Sequence, residues 1–213
     1  MIPGHEADPL TVAPSSARRR RLFALLAILA VLTYALDQVT KYLAVSLLTG
    51  EPSKDVIGSF LRLTLIRNPG AAFSLGTGST WLLTVIAALV LVVVIRTSRR
   101  IGSLGWAWAL GLLLGGALGN LTDRLVREPG FGQGHVVDFL DYNNWFIGNV
   151  ADIAIVSSAV LIALLAVRGV GVDGRREQRA SASADPAGTP LTPVPPTPPG
   201  PPSTPATRAG DDG

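Results

Sequence analysis

Four apolar runs, at residues 22–36, 81–95, 104–121 and 150–167, carry a single charged side chain among them, Asp152. Each run has 15 to 18 residues, at the short end of the roughly 17–25 needed to cross bilayer hydrocarbon, so each helix must borrow flanking residues. Helices buried in a soluble protein would keep a polar stripe, whereas the stretch 82–95 has Thr84 as its one polar residue, which leaves no such face. Four membrane-spanning helices are expected. Composition agrees, because only 15% of the 213 residues are charged, against about 25% in soluble domains.

The first run follows Arg18, Arg19, Arg20 and Arg21, as the apolar core of a cleavable signal peptide would. Apolar periodicity resumes beyond Asp37 with Tyr42, Leu43, Val45, Leu47 and Leu48, so an uncleaved first span that continues past the charge is the expectation. The arginines also set the orientation. Arg18 to Arg21 precede the first span, Arg96, Arg99 and Arg100 fill the link between spans two and three, and Arg168, Arg175, Arg176 and Arg179 follow span four. By the positive-inside rule these clusters are cytoplasmic. The segments 37–80 and 122–149 then share the outer side, and Asp37, Asn68, Asp123, Asp138 and Asp152 converge on one membrane face. The same clustering explains the net charge of +3 as membrane orientation, with no nucleic acid as partner.

The polar groups of that face decide the chemistry. Asp37 and Lys41 stand four apart, which on a helix permits an ion pair. Residues 59–65 alternate apolar and polar as a half-buried strand does, and Arg67-Asn68-Pro69-Gly70-Ala71-Ala72-Phe73 reads as a turn, so a small sheet at the membrane surface is expected. Gly111, Gly115 and Gly119 form a stripe that lets a neighbouring helix approach closely in lipid. Asn120, Asp123 and Arg124 follow at helical spacing, with Arg124 either neutralising Asp123 or clamping a substrate carbonyl. A carboxylate inside a membrane costs about 2.5–3.5 kcal/mol on insertion scales and marks pairing or function. Asp152 opens the fourth span with Asn149 three residues before it, and Asp138 lies in the short apolar segment Val136-Val137-Asp138-Phe139. Two carboxylates brought together share one proton, one acting as base toward water and the other as acid toward a leaving amine, as in aspartic proteases. Asp141 and Asp123 are alternative partners for Asp152.

Rival chemistries lack their residues. The chain has no cysteine and two histidines, His5 and His135, which excludes thiolate chemistry and leaves no H-E-x-x-H zinc motif. There is no G-x-S-x-G, and Gly130, Gly132 and Gly134 lack a following G-K-S or G-K-T, so neither a serine nucleophile nor a P-loop is indicated. A small proton-coupled transporter or channel subunit would also carry membrane aspartates. Here they cluster at one face, and no inverted repeat is visible. A scaffold whose charges only pair with each other is a third reading.

Five segments, Asp37-Gln38-Val39-Thr40-Lys41, Arg67-Asn68-Pro69-Gly70-Ala71-Ala72-Phe73, Gly119-Asn120-Leu121-Thr122-Asp123-Arg124, Val136-Val137-Asp138-Phe139 and Asn149-Val150-Ala151-Asp152, resemble the successive signatures of bacterial lipoprotein signal peptidase (signal peptidase II). The resemblance covers residues 22–167. It implies a membrane, mainly α fold of four transmembrane helices with a small extracytoplasmic β-sheet, and an aspartyl endopeptidase that removes the signal peptide from prolipoproteins before a diacylglyceryl-modified cysteine. Carried over residue by residue, it makes Asp138 and Asp152 catalytic, Asn68, Asn120, Arg124 and Asn149 substrate-binding or supporting, and Asp37, Lys41 and Asp123 structural. No cofactor or metal is implied. The partners implied are diacylglyceryl-modified prolipoproteins and membrane phospholipid, for a monomer of the inner membrane with both termini cytoplasmic. The family commonly has an aromatic residue just before the last motif's asparagine, where this chain has Gly148, with Phe146 two positions earlier. Outside the peptidase region, 18–170, residues 1–17 read as a disordered leader and 171–213 as a flexible, proline-rich cytoplasmic tail.

Overall fold

The computed structural model describes residues 16–70 and 80–175. The expected leader therefore falls outside the described residues except for Ser16 and Ala17, which open the first helix, and the expected tail falls outside them beyond Arg175. Ala71, Ala72 and Phe73 of the second motif also lie outside.

The helices are α1 (Ser16–Leu48), α2 (Thr80–Ser98), α3 (Leu104–Val126) and α4 (Val150–Val167), all long and apolar enough to cross a membrane. α1 runs through Asp37 without a break for 33 residues, about 50 Å at 1.5 Å per residue, so its last turns stand clear of a ~30 Å hydrocarbon layer. Large apolar side chains such as Val31 and Leu32 on α1, Leu89 and Val92 on α2, and Val156 on α4 are exposed, as a surface solvated by lipid requires.

α3 is the central helix, and its glycines explain how three neighbours reach it. A side chain at Gly111 would meet Leu29 Cβ at 2.8 Å, and one at Gly115 would meet Ala30 O and Thr33 Cβ at 2.6 Å, so this stripe seats α1. On another side a Cβ at Gly116 would meet Ala151 O of α4 at 2.7 Å, and Ser158 Oγ donates to Ala109 O at 2.8 Å. α2 packs on α3 through Leu91 against Ala117 and Leu121. Without a hydrophobic drive between helices in lipid, such close backbone approach and interhelical hydrogen bonds supply the cohesion.

The sheet is a four-stranded antiparallel meander of β1 (Lys54–Ile57), β2 (Leu61–Asn68), β3 (Val136–Tyr142) and β4 (Phe146–Gly148). β2 begins and ends later than the expected 59–65. Arg67 and Asn68 pair with Val137 and Val136, so the ladder carries the strand on until Pro69, which has no N–H to donate. β1 and β4 were not foreseen. The inner face of the sheet rests on the end of α1, where Val137 and Phe139 pack with Ala44 and Leu48. This docking lowers β3 onto the helix ends and carries Asp138 with it.

Gly115→Val should lower thermal stability in detergent by about 1–3 kcal/mol through overpacking against α1. Gly130→Ala, where an added Cβ meets nothing within 4 Å, should leave the melting temperature unchanged; equal losses would contradict the packing role.

Candidate active site

Lys41 lies fully buried on α1, and its ammonium donates to Asp37 Oδ2 at 2.9 Å, Asp123 Oδ2 at 2.9 Å and Asn120 Oδ1 at 2.8 Å. The other carboxylate oxygens extend this contact outward. Asp37 Oδ1 accepts the Ala151 N–H of α4 at 2.9 Å. Asp123 Oδ1 accepts from Arg127 Nε at 2.6 Å, and its Oδ2 also accepts the Val137 N–H of β3 at 3.2 Å. One ammonium thereby connects α1, α3, α4 and the sheet. A side chain at Gly119 would collide with Asp37 Oδ2, so glycine there admits the carboxylate between the helices.

An ammonium only donates, so Asn120 must turn its oxygen to Lys41 and its NH2 the other way. That NH2 donates to Asp152 Oδ1 at 2.9 Å. Asn149 is oriented by the same logic. It is the N-cap of α4, its oxygen accepts the Asp152 N–H at 3.1 Å, and Asp152 Oδ2 accepts the Asn149 N–H at 3.0 Å, a reciprocal capping box. The Asn149 NH2 therefore faces away from the helix and donates to Asp138 Oδ1 at 2.7 Å. Asn68, held by accepting the Gly70 N–H at 2.9 Å, donates to Asp138 Oδ2 at 2.8 Å. All four oxygens of Asp138 and Asp152 thus accept an N–H, three from side-chain amides whose own oxygens are engaged and one from the Asn149 backbone.

Both aspartates line a cavity of about 360 Å3 together with Asn68, Asn120 and Arg124. Its other wall is apolar, from Leu83, Ile86 and Val90 of α2, Leu113 of α3 and Ile155 of α4. Arg124 Nη2 donates to Gly70 O at 2.7 Å, while its buried Nη1 has no hydrogen-bond partner among the described residues. A buried guanidinium nitrogen without an acceptor beside such a cavity suits a carbonyl brought by a ligand.

Burial pushes the Asp138 carboxyl up to about 6, and the nearby Asp152 charge adds to the rise. The amides of Asn68 and Asn149 and the Lys41 charge hold it back. Charge counting leads the same way. Lys41, Arg124 and Arg127 stand among Asp37, Asp123, Asp138 and Asp152, so three cations meet four carboxylates, and the cluster is neutral when the last two share one proton. Asp141 is elsewhere, tied to Arg62 at 2.9 Å and to the Asn144 N–H at 2.7 Å, and Asp123 is committed to Lys41 and Arg127; neither is a partner for Asp152. Among the described residues no set of three His, Cys, Asp or Glu could hold a metal ion.

Residues 29–168, which hold both aspartates and all but the start of the first of the four helices, match the model of Signal peptidase (SPase) II. The chain belongs to the signal peptidase II family. A lipoprotein signal peptidase of Leifsonia xyli subsp. xyli is 48% identical over 192 residues, covering 87% of this chain and 89% of that protein. One of Streptomyces griseus subsp. griseus is 49% identical over 156 residues, 73% of this chain and 79% of that protein. A solved bacterial membrane enzyme superposes with a TM-score of 0.61 at 29% identity, covering 73% of this chain and 94% of that chain. The expected family and four-helix fold with a small sheet are borne out. The chain is an aspartic-type signal peptidase II with several membrane spans, and a transporter subunit is not favoured.

The sequence analysis named the amides and the arginine around the paired aspartates but not how they are held. The Gly70 carbonyl that steadies Arg124 carries no side-chain signal. The Asn149-x-x-Asp152 capping box was legible from its spacing before an apolar run. Gly148 has a steric reason, because a Cβ there would meet Asp152 Oδ2 at 2.8 Å and the Phe146 ring at 2.6 Å. Phe146 itself lines the cavity from two positions earlier.

Lys41→Met would leave two buried carboxylates facing each other and should cost about 3–5 kcal/mol of stability, read as a lower melting temperature in detergent. A loss under about 1 kcal/mol would show that these charges are not held by one ammonium.

Proposed function

We propose that the chain is a membrane aspartyl endopeptidase that removes the signal peptide from prolipoproteins, cutting before the diacylglyceryl-modified cysteine, with Asp138 and Asp152 as its catalytic dyad. The observation that carries the reading is that these two carboxylates line one cavity, each held by aimed amides, in a cluster short of one positive charge. Lipoprotein signal peptidase relatives supply the substrate class.

The shared proton resides on Asp138. Asp152 accepts a backbone N–H in the first turn of α4, where the helix dipole favours negative charge. It also accepts from Asn120, whose oxygen is polarised by Lys41. Asp138 has two neutral amide donors and a carboxyl raised to about 6. Asp152 then removes a proton from a water as its oxygen attacks the scissile carbonyl carbon, and Asp138 gives its proton to the carbonyl oxygen. Collapse of the resulting diol returns a hydroxyl proton to Asp138. Asp152 passes its proton to the departing nitrogen as the C–N bond breaks, and the dyad ends as it began. Arg124 Nη1 holds a backbone carbonyl of the substrate. Lateral opening between α2 and α4 lets the acyl chains stay in lipid while the peptide enters. The arginine clusters support a cavity at the outer face of the inner membrane with both termini cytoplasmic, and one copy of the chain supplies every side chain of this mechanism.

The test is cleavage of a diacylglyceryl-modified precursor by purified protein. Asp138→Asn and Asp152→Asn should each slow it by at least 10²–10⁴-fold; full cleavage by either would remove that residue from the dyad. Asp138 must hold a proton to act, so kcat/KM for the wild type should fall as pH rises through about 6. A rate that climbs across that range would reverse the assignment.

A further inference from the structure

At the end of the helices opposite the dyad lies a second, larger cavity, about 640 Å3, lined by Arg96, Thr97, Arg99, Arg100, Val172 and Asp173. Peptide-bond hydrolysis does not use it. Its walls are built by two segments that lock together. The α2–α3 link donates from Gly102 N to Val172 O at 2.9 Å, and Ile101 beside it is fully buried. The segment after α4 folds back on itself, with Val170 N donating to Leu165 O and Gly171 N to Arg175 O, both at 2.9 Å. Trp106 Nε1 fastens it by donating to Val170 O at 2.8 Å. The packing admits no side chain at Gly102, where a Cβ would strike the Asp173 carbonyl.

The charges of this basin are unbalanced. Among the described residues, Arg96, Arg99 and Arg100 have no acidic partner, and Asp173 is engaged by Arg175, whose N–H donates to Asp173 Oδ1 at 3.0 Å and whose Nε lies 3.7 Å from Oδ2. Three guanidiniums around one cavity repel each other unless an anion joins them, and their planar forks match phosphate oxygens. Immediately below Arg96, Val92, Val93 and Ile95 of α2 are exposed. A soluble anion would have no use for that apolar strip, whereas acyl chains would lie along it.

We propose that Arg96, Arg99 and Arg100, walled by the clasp between the α2–α3 link and the segment after α4, bind the phosphate of an anionic phospholipid. Basic pockets at cytoplasmic helix ends recognise such headgroups, and the volume is that of a ligand site. This site is independent of the cleavage chemistry.

The test is thermal unfolding of the full chain in neutral detergent with short-chain phosphatidylglycerol, phosphatidylcholine or inorganic phosphate at equal concentration. Phosphatidylglycerol near saturation should raise the melting temperature by about 3–5 °C, and phosphatidylcholine should not. Arg96→Gln/Arg99→Gln/Arg100→Gln should abolish that rise while keeping wild-type peptidase activity. If the triple variant fails to accumulate, Arg99→Gln and Arg100→Gln singly should each roughly halve it. Equal protection by both lipids, an unchanged rise in the variants, or the same rise from inorganic phosphate would each overturn the proposal, the last by assigning a free-anion site.

Discussion

Everything around the paired aspartates depends on how a single buried ammonium places its three hydrogens. Lys41 reaches Asp37, Asp123 and Asn120, one acceptor for each hydrogen of its ammonium. Through Asp37 it holds the first turn of α4, and through Asp123 the beginning of β3. Through Asn120 it sets the direction of an amide on Asp152. Desolvating such ions costs several kcal/mol each, and only near-complete pairing offsets it. The neutral count of the whole cluster therefore explains its burial as much as its chemistry.

The apolar part of the fold solves a different problem, that of packing three helices onto a fourth where lipid competes equally for every methyl. α3 meets it with glycines on two sides, at 111, 115 and 119 toward α1 and at 116 toward α4. This closeness has a functional side. With a Cβ at Gly119, Asp37 could not stand between α1 and α3, and the polar cluster would lose its first anchor. Packing and electrostatics meet at that glycine.

How much of this was legible in the sequence follows the range of each interaction. The four helices were readable because membrane insertion depends on local apolar content, and α4 begins and ends where its apolar run does. The i, i+4 spacing of Asp37 and Lys41 announced their pair, and the five motifs named the polar residues that the structure gathers. Long-range pairings were not readable. Nothing local says that Lys41 also takes Asp123, 82 positions away, or that β2 runs on to Asn68 because Val136 and Val137 receive it. β4 has three residues and exists only because β3 lies beside it. Gly148 looked like a departure from the family pattern until the space beside Asp152 supplied its reason.

The capping box at Asn149 and Asp152 has a consequence for how this protein can evolve. One oxygen of the α4 capping box, Asp152 Oδ2, accepts the Asn149 N–H and belongs to the carboxylate proposed to take a proton in each turnover. When that charge is neutralised, the cap and its favourable meeting with the helix dipole weaken for as long as the proton stays. A more basic Asp152 would accept protons faster and hold the helix start less firmly at working pH; a less basic one would do the reverse. Selection for heat resistance and selection for speed therefore compete at one atom, and sequence change elsewhere, in α4 or in the residues that hold Asp152, can relieve the conflict.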